Sequence, residues 1–157
     1  MAVISWGRPS QFQTAPSTDG EPAADAEWKD IDIPKEQTLK INVTEGGEQT
    51  ALEEGGGLVD VRFNKNTYEL EFAEFVKKGK KSVFEDEDGL IAGEHAFRFL
   101  PADDTCEGRK IDRSIVRVIE TFTTTEGILR TFKARGIKPK TGNIVKPYNK
   151  AGANPGS

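Results

Sequence analysis

The sequence predicts an all-β, or β-rich α+β, chain: an antiparallel β-sandwich or barrel with long loops and at most one short flanking helix. Three observations carry this. Short runs alternate apolar and polar residues with a period of two, the mark of half-buried strands. Gly, Pro and Asn punctuate these runs at short intervals, as in sandwiches and barrels. No long stretch shows the 3.6-residue period of an amphipathic helix, and no internal repeat of fixed period is present.

At 157 residues the chain suits one domain, 1–157, large enough to bury a core without staples. Hydrophobic residues make up 35% and charged residues 31%, as in soluble globular proteins. No apolar run approaches the ~20 residues of a membrane helix, so no membrane partner is expected. The first residues lack a basic stretch followed by an apolar one, so no signal peptide is expected. Cys106 is the only cysteine, which excludes an internal disulfide and makes a reducing compartment the simplest site of folding.

Residues 1–27 are rich in Pro, Gly, Ser, Thr, Ala and Asp and read as an extended, flexible N-terminal segment. Residues 28–135 read as the β-rich core. In it, 28–33 (WKDIDI) alternates and is closed by Pro34, and 38–44 (TLKINVT) alternates Leu39, Ile41 and Val43 with Lys40 and Asn42. Residues 45–57 (EGGEQTALEEGGG) read as a long loop, and a connection of that length in a compact domain tends to be functional or disordered.

The centre of the pattern is 58–76. Val59, Val61 and Phe63 alternate with Asp60 and Arg62; after the polar break 64–67, Tyr68, Leu70 and Phe72 alternate with Glu69 and Glu71. Two such runs around a short Asn-rich connection read as a β-hairpin with one oily and one wet face. Phe75 and Val76 fall out of phase, which predicts a bulge or an end buried on both faces. A short helical turn is expected within 89–96, then a strand at 95–100. The run 111–123 is apolar on both faces, with Val116, Val118 and Phe122 on one and Ile115 and Ile119 on the other. It is therefore expected to be covered twice. A turn at 124–127 and a strand over 128–135 complete a second hairpin. Residues 136–157 read as an extended tail.

Catalytic chemistry finds little footing. The lone His95 heads an apolar strand and suits a structural role. Cys106 lies in an acidic loop that raises a thiol pKa. One His and one Cys do not make a zinc site. Glu85, Asp86, Glu87 and Asp88 before Gly89 miss the spacing of a calcium loop; a solvated acidic turn is the main reading, a weak divalent site the lesser one. Gly55–Gly57 precede a strand rather than a helix, so they do not read as a phosphate loop. The lysines at 77, 78, 80 and 81 are too few, and too near that acidic run, for nucleic-acid readout. No enzyme and no cofactor are expected.

Charge is unevenly distributed. Residues 1–60 hold 4 Lys/Arg against 12 Asp/Glu, net −8; residues 61–100 hold 7 against 8, net −1; residues 101–157 hold 11 against 6, net +5. Such opposed segments are often plain solvated surface, but they also suit faces that dock subunit to subunit.

Several of these features recur together. They are the Trp6-Gly7 start, the early strand around Trp28, the Glu/Gly-rich stretch ending in Glu54-Gly55-Gly56 before Val59-Asp60-Val61, and the long hairpin after it. In these the chain resembles the major tail tube proteins of long-tailed bacteriophages and prophages, which are similar in fold to the tube proteins of type VI secretion. The resemblance covers most of residues 1–135. It implies a sandwich-like barrel with a small flanking helix, a non-enzymatic virion protein made in the host cytoplasm, and self-assembly into rings, commonly hexameric, that stack into a tube. The weak helix signal departs from that pattern. By the same resemblance, 45–57, with Glu45, Glu48, Glu53 and Glu54, would reach the adjacent ring. Asp60, Arg62, Glu69 and Glu71 would line the lumen. Partners would be the chain itself and other tail proteins. DNA would pass as cargo, which an acidic wall repels and a basic one would hold. The other reading is a small bacterial β-sandwich binding module without catalysis.

Overall fold

The computed structural model describes residues 3–150. Eleven strands are formed among them: β1 Gln11–Thr18, β2 Glu21–Pro22, β3 Lys29–Asp30, β4 Lys40–Thr44, β5 Glu48–Leu52, β6 Leu58–Phe63, β7 Thr67–Phe75, β8 Leu90–Leu100, β9 Gly108–Thr123, β10 Gly127–Gly136 and β11 Val145–Tyr148. The fold is all-β and antiparallel, with no helix among the described residues. Nine strands form one sheet in the order β2-β1-β8-β9-β10-β7-β4, with β11 on β9 and β3 on β1; β5 and β6 form a separate two-stranded sheet.

The sheet curls into a half-barrel. Phe12 on β1 and Phe72 on β7 stand four strand positions apart, about 19 Å across a flat sheet. Their rings nevertheless meet edge-on at 4.8 Å. Phe97, Phe132 and Phe84 complete the aromatic cluster. Leu70, Ile111, Val116 and Val118 pack with them. The mouth of the half-barrel is crossed by residues 31–38: the Ile31 amide donates to the Phe12 carbonyl at 2.8 Å and the Lys35 amide to that of Ala73 at 2.7 Å.

β9 is the spine. β8 runs along one edge, while β10 and then β11 occupy the other. Its inward residues Ser114, Val116 and Val118 are buried, as the alternation requires. The double cover expected of β9 is absent among the described residues: Ile115 is 53% and Ile119 51% exposed on the outer face. The second hairpin forms as read from sequence, pairing Thr123 with Gly127 and Ile119 with Thr131.

Several expectations are corrected. Residues 1–27 are not uniformly loose, because β1 lies between β8 and β2/β3 with Phe12, Thr14, Ala15 and Ser17 buried. Apart from Phe12 its buried positions are small or hydroxylic, so the pattern is quiet in sequence, and Thr14 and Ser17 satisfy their hydroxyls on the Ala96 and Asp112 carbonyls. The strand expected over 28–33 is only Lys29–Asp30. The helical turn expected within 89–96 is the start of β8, whose early register is interrupted between Leu90 and Glu94. The tail contributes β11, pinned by a buried ion pair between Lys146 and Asp112 and by the Tyr148 hydroxyl on Gln11; its part over 151–157 lies outside the described residues. Near the end of β7, Phe72, Ala73 and Glu74 are all buried, but of the two out-of-phase residues Phe75 is half-buried and Val76 is 40% exposed, so the two-sided cover stops short of them.

The largest correction concerns 45–75. β6 and β7 do not pair with each other. β6 pairs with β5, and β7 lies between β4 and β10. The predicted loop is therefore half strand. The chain runs out along β4 and β5, turns at 53–57, and returns along β6 and β7.

Candidate functional site

The outer half of that excursion, residues 45–66, is a two-stranded arm standing clear of the half-barrel. Its tip is a tight turn in which the Glu53 amide donates to the Gly57 carbonyl at 2.9 Å and the Gly56 amide to that of Glu53 at 3.0 Å. Gly55 and Gly56 take φ of 92° and 89°, values that side chains rarely allow. At the base the Asn64 amide donates to the Gly47 carbonyl at 2.8 Å, and the Gly46 amide to Asn66 Oδ1 at 3.1 Å. Gly46 passes so close to Asn64 that a Cβ there would lie 1.9 Å from the Asn64 carbonyl oxygen.

Pairing fixes the arm's two faces. Phe63 stands opposite Glu48 and Val61 opposite Thr50, while Arg62 and Asp60 stand opposite Gln49 and Ala51. The apolar stripe Val59-Val61-Phe63 thus shares one face. Phe63 is 75% exposed and Val59 65%, with Leu58 and Leu52 at the tip close behind. An isolated two-stranded ribbon is marginal in water, and a contiguous exposed apolar patch of this kind marks an interaction surface. Glu45, Glu48, Glu53 and Glu54 are all exposed around it. With Asp60 they set five carboxylates against Arg62 and Lys65 over 45–66, a net −3.

The four residues assigned to a lumen fall on two bodies. Asp60 and Arg62 ride on the arm, on the face opposite the stripe. Glu69 and Glu71 lie on the outer face of β7, half-buried, opposite in phase to Leu70 and Phe72. Register sets Glu71 between Lys40 and Lys133, and Glu69 between Asn42 and Arg135. Glu71 forms ion pairs with Lys40 at 3.1 Å and with Lys133 at 3.7 Å. The face around them is therefore mixed in charge and not net acidic; the cations come from β4 and β10, which the sequence pattern of 58–76 does not contain.

Sequence reasoning missed the strand character of β5. Its only signal is Thr50 and Leu52 in phase, hidden in a run rich in Gly and Glu. Other residues singled out occupy ordinary surroundings. His95 Nε2 lies 2.9 Å from the Ala92 carbonyl and its ring meets Phe84 edge-on. Cys106 is half-buried. Asp86 accepts from the Gly89 amide at 2.7 Å, closing the acidic turn. Among the described residues no three His, Cys, Asp or Glu side chains converge as metal ligands do.

A cleft of about 960 Å³ opens between the N-terminal segment, residues 33–37 and the inner side of β4, with Trp6, Ile33, Leu39, Ile41 and Phe99 in its walls. Comparison with known proteins returns no matching family model and no matching curated sequence.

Proposed function

We propose that the chain is a self-assembling structural subunit of the tail-tube type that its sequence resembles, non-enzymatic, with further copies of itself as its main partner. One observation carries the reading: the arm at 45–66, which presents Val59, Phe63 and the tip leucines to solvent, with Val61 half-buried between them and no other described element packed over them. Burying such a stripe releases roughly 25 cal/mol per Å², and that gain is available only on contact with another surface. The sheet supports the same reading. β4 pairs on one side only, with β7, and an open edge is a ready site for strand addition by a neighbour.

In this reading stacked rings form a virion tail tube that conducts DNA, with other tail proteins at its ends, after synthesis in the host cytoplasm. A conduit must not hold its cargo, so the cations beside Glu69 and Glu71 need to be paired or covered in the assembly.

The test is sedimentation velocity with negative-stain microscopy over rising concentration. Rings or hollow tubes are expected from the parent chain. A variant with residues 48–62 replaced by a two-residue turn is expected to keep its β-sheet circular dichroism and stay monomeric. A parent chain that remains monomeric throughout would sink the reading. It would favour the second one, a small bacterial β-sandwich binding module, for which the cleft beside Trp6 is the supporting observation.

A further inference from the structure

The outer face of β9 and β10 is a surface of the half-barrel whose sequence asks for a cover that the described residues do not supply. On it Ile115 and Ile119 are half exposed, and Leu90, the cross-strand neighbour of Arg117, is 69% exposed. Between the two isoleucines stands Arg117, whose partner on β10 is Lys133; Arg135 stands beside Ile115. Two carboxylates on this face are already answered, Glu71 by Lys40 and Lys133 and Glu94 by Arg113 at 2.7 Å, while Glu69, the cross-strand neighbour of Arg135, makes no ion pair among the described residues. Arg117 and Arg135 make no ion pair among the described residues, Glu69 included.

The arm is the complement of that surface. Its stripe from Val59 to Phe63 and the row from Ile115 to Ile119 each span four residue steps, about 13 Å at the rise of a strand. The arm carries a net −3, and the sheet face offers two unanswered guanidiniums. Like charge argues against arm pairing with arm, because two stripes face to face would bring both sets of carboxylates together. We propose that the arm of one copy lays its Val59-Val61-Phe63 stripe on the outer face of β9–β10 of a second copy, with the arm's carboxylates supplying the counter-charges of Arg117 and Arg135. This rests on the self-assembly reading and adds to it the receiving surface. The contact joins two different surfaces, arm to sheet, so when given in one direction it propagates into rings or open stacks, whereas reciprocal exchange of arms closes into a pair. It also withdraws Arg117 and Arg135 from any channel.

The test is charge reversal and rescue on the full chain, read by sedimentation velocity. Arg117→Glu with Arg135→Glu is expected to raise the concentration needed for assembly at least tenfold. Glu48→Lys with Glu54→Lys in the arm is expected to do the same. Mixing the two variants, which pairs a reversed arm with a reversed face, is expected to restore assembly. All four positions are on the surface, and unchanged melting temperatures of the monomers show that folding is intact. A parent chain that assembles while the sheet variant assembles equally well, or a mixture that shows no rescue, overturns the docking surface and leaves self-assembly standing. A monomeric parent chain overturns both.

Discussion

Glu74 shows what a single residue reports about this core. It sits on the inner face of β7, 7% exposed, where burial pushes its carboxyl above the ordinary range against a hydrogen bond from Ser82 and the charge of Arg130; Asp32 and Lys77 also face it. The folded state therefore binds this proton more tightly than the unfolded chain. The charged form costs stability at neutral and alkaline pH, and that cost disappears as pH falls through the raised folded value toward the ordinary 4.5. Glu74→Gln is expected to melt higher than the parent at pH 8, with the difference closing by about pH 4.5; a constant difference across that range would refute the assignment. Phe72 makes the opposite contribution. It is fully buried and contacts Phe12, Phe97 and Phe132, so Phe72→Ala should cost about 3–5 kcal/mol, read as a lower urea midpoint at an unchanged slope. The Lys146–Asp112 pair is tight and largely buried. Removing Lys146 leaves the buried Asp112 with only Lys110, 3.9 Å away, so Lys146→Ala should cost about 1–3 kcal/mol, while Lys146→Met with Asp112→Leu should recover most of it.

At the scale of elements, the contrast is between β9 and the arm. β9 is paired along both edges and packs its inner side on the aromatic cluster, so its inward amides should exchange hydrogen only on global unfolding. The arm has one ladder, no core and two wet faces. Its amides should exchange within seconds in the monomer and become protected on assembly, a difference that hydrogen-exchange mass spectrometry resolves. Gly46→Ala tests the hinge: the added Cβ collides with the Asn64 backbone, so the base of the arm must shift. The half-barrel should melt within a few degrees of the parent, and assembly should weaken severalfold, measured by light scattering. The sequence makes β9, β10 and the inward face of β7 plain, because their alternation is strong and their turns carry Gly and Thr. It hides β1 and β5. Apart from Phe12 and Leu52 their inward or in-phase residues are mostly Thr, Ser, Ala and Gln, which fit a strand without announcing it.

At the scale of the whole molecule, a nine-stranded sheet curls until β1 and β7 share one core, and the 31–38 crossing closes the gap. What remains outside is an acidic arm at one end of β7, an open β4 edge and a sheet face with unanswered guanidiniums. Contacts among these are charge-assisted and exposed at their rims, so assembly should weaken as salt rises from about 0.05 to 0.5 M. A transition insensitive to salt would point instead to edge-to-edge strand addition.

Local chemistry settled the all-β class, the phase of each strong strand and the hairpin at 123–127, since each depends only on residues close in the chain. Which strand lies beside which, and hence what surrounds Glu69 and Glu71, depended on pairing between segments some sixty residues apart. No short window contains that information: β7 chose β4 and β10 over β6 because the curled sheet buries Leu70 and Phe72 on the shared aromatic core, and that choice left the arm bare.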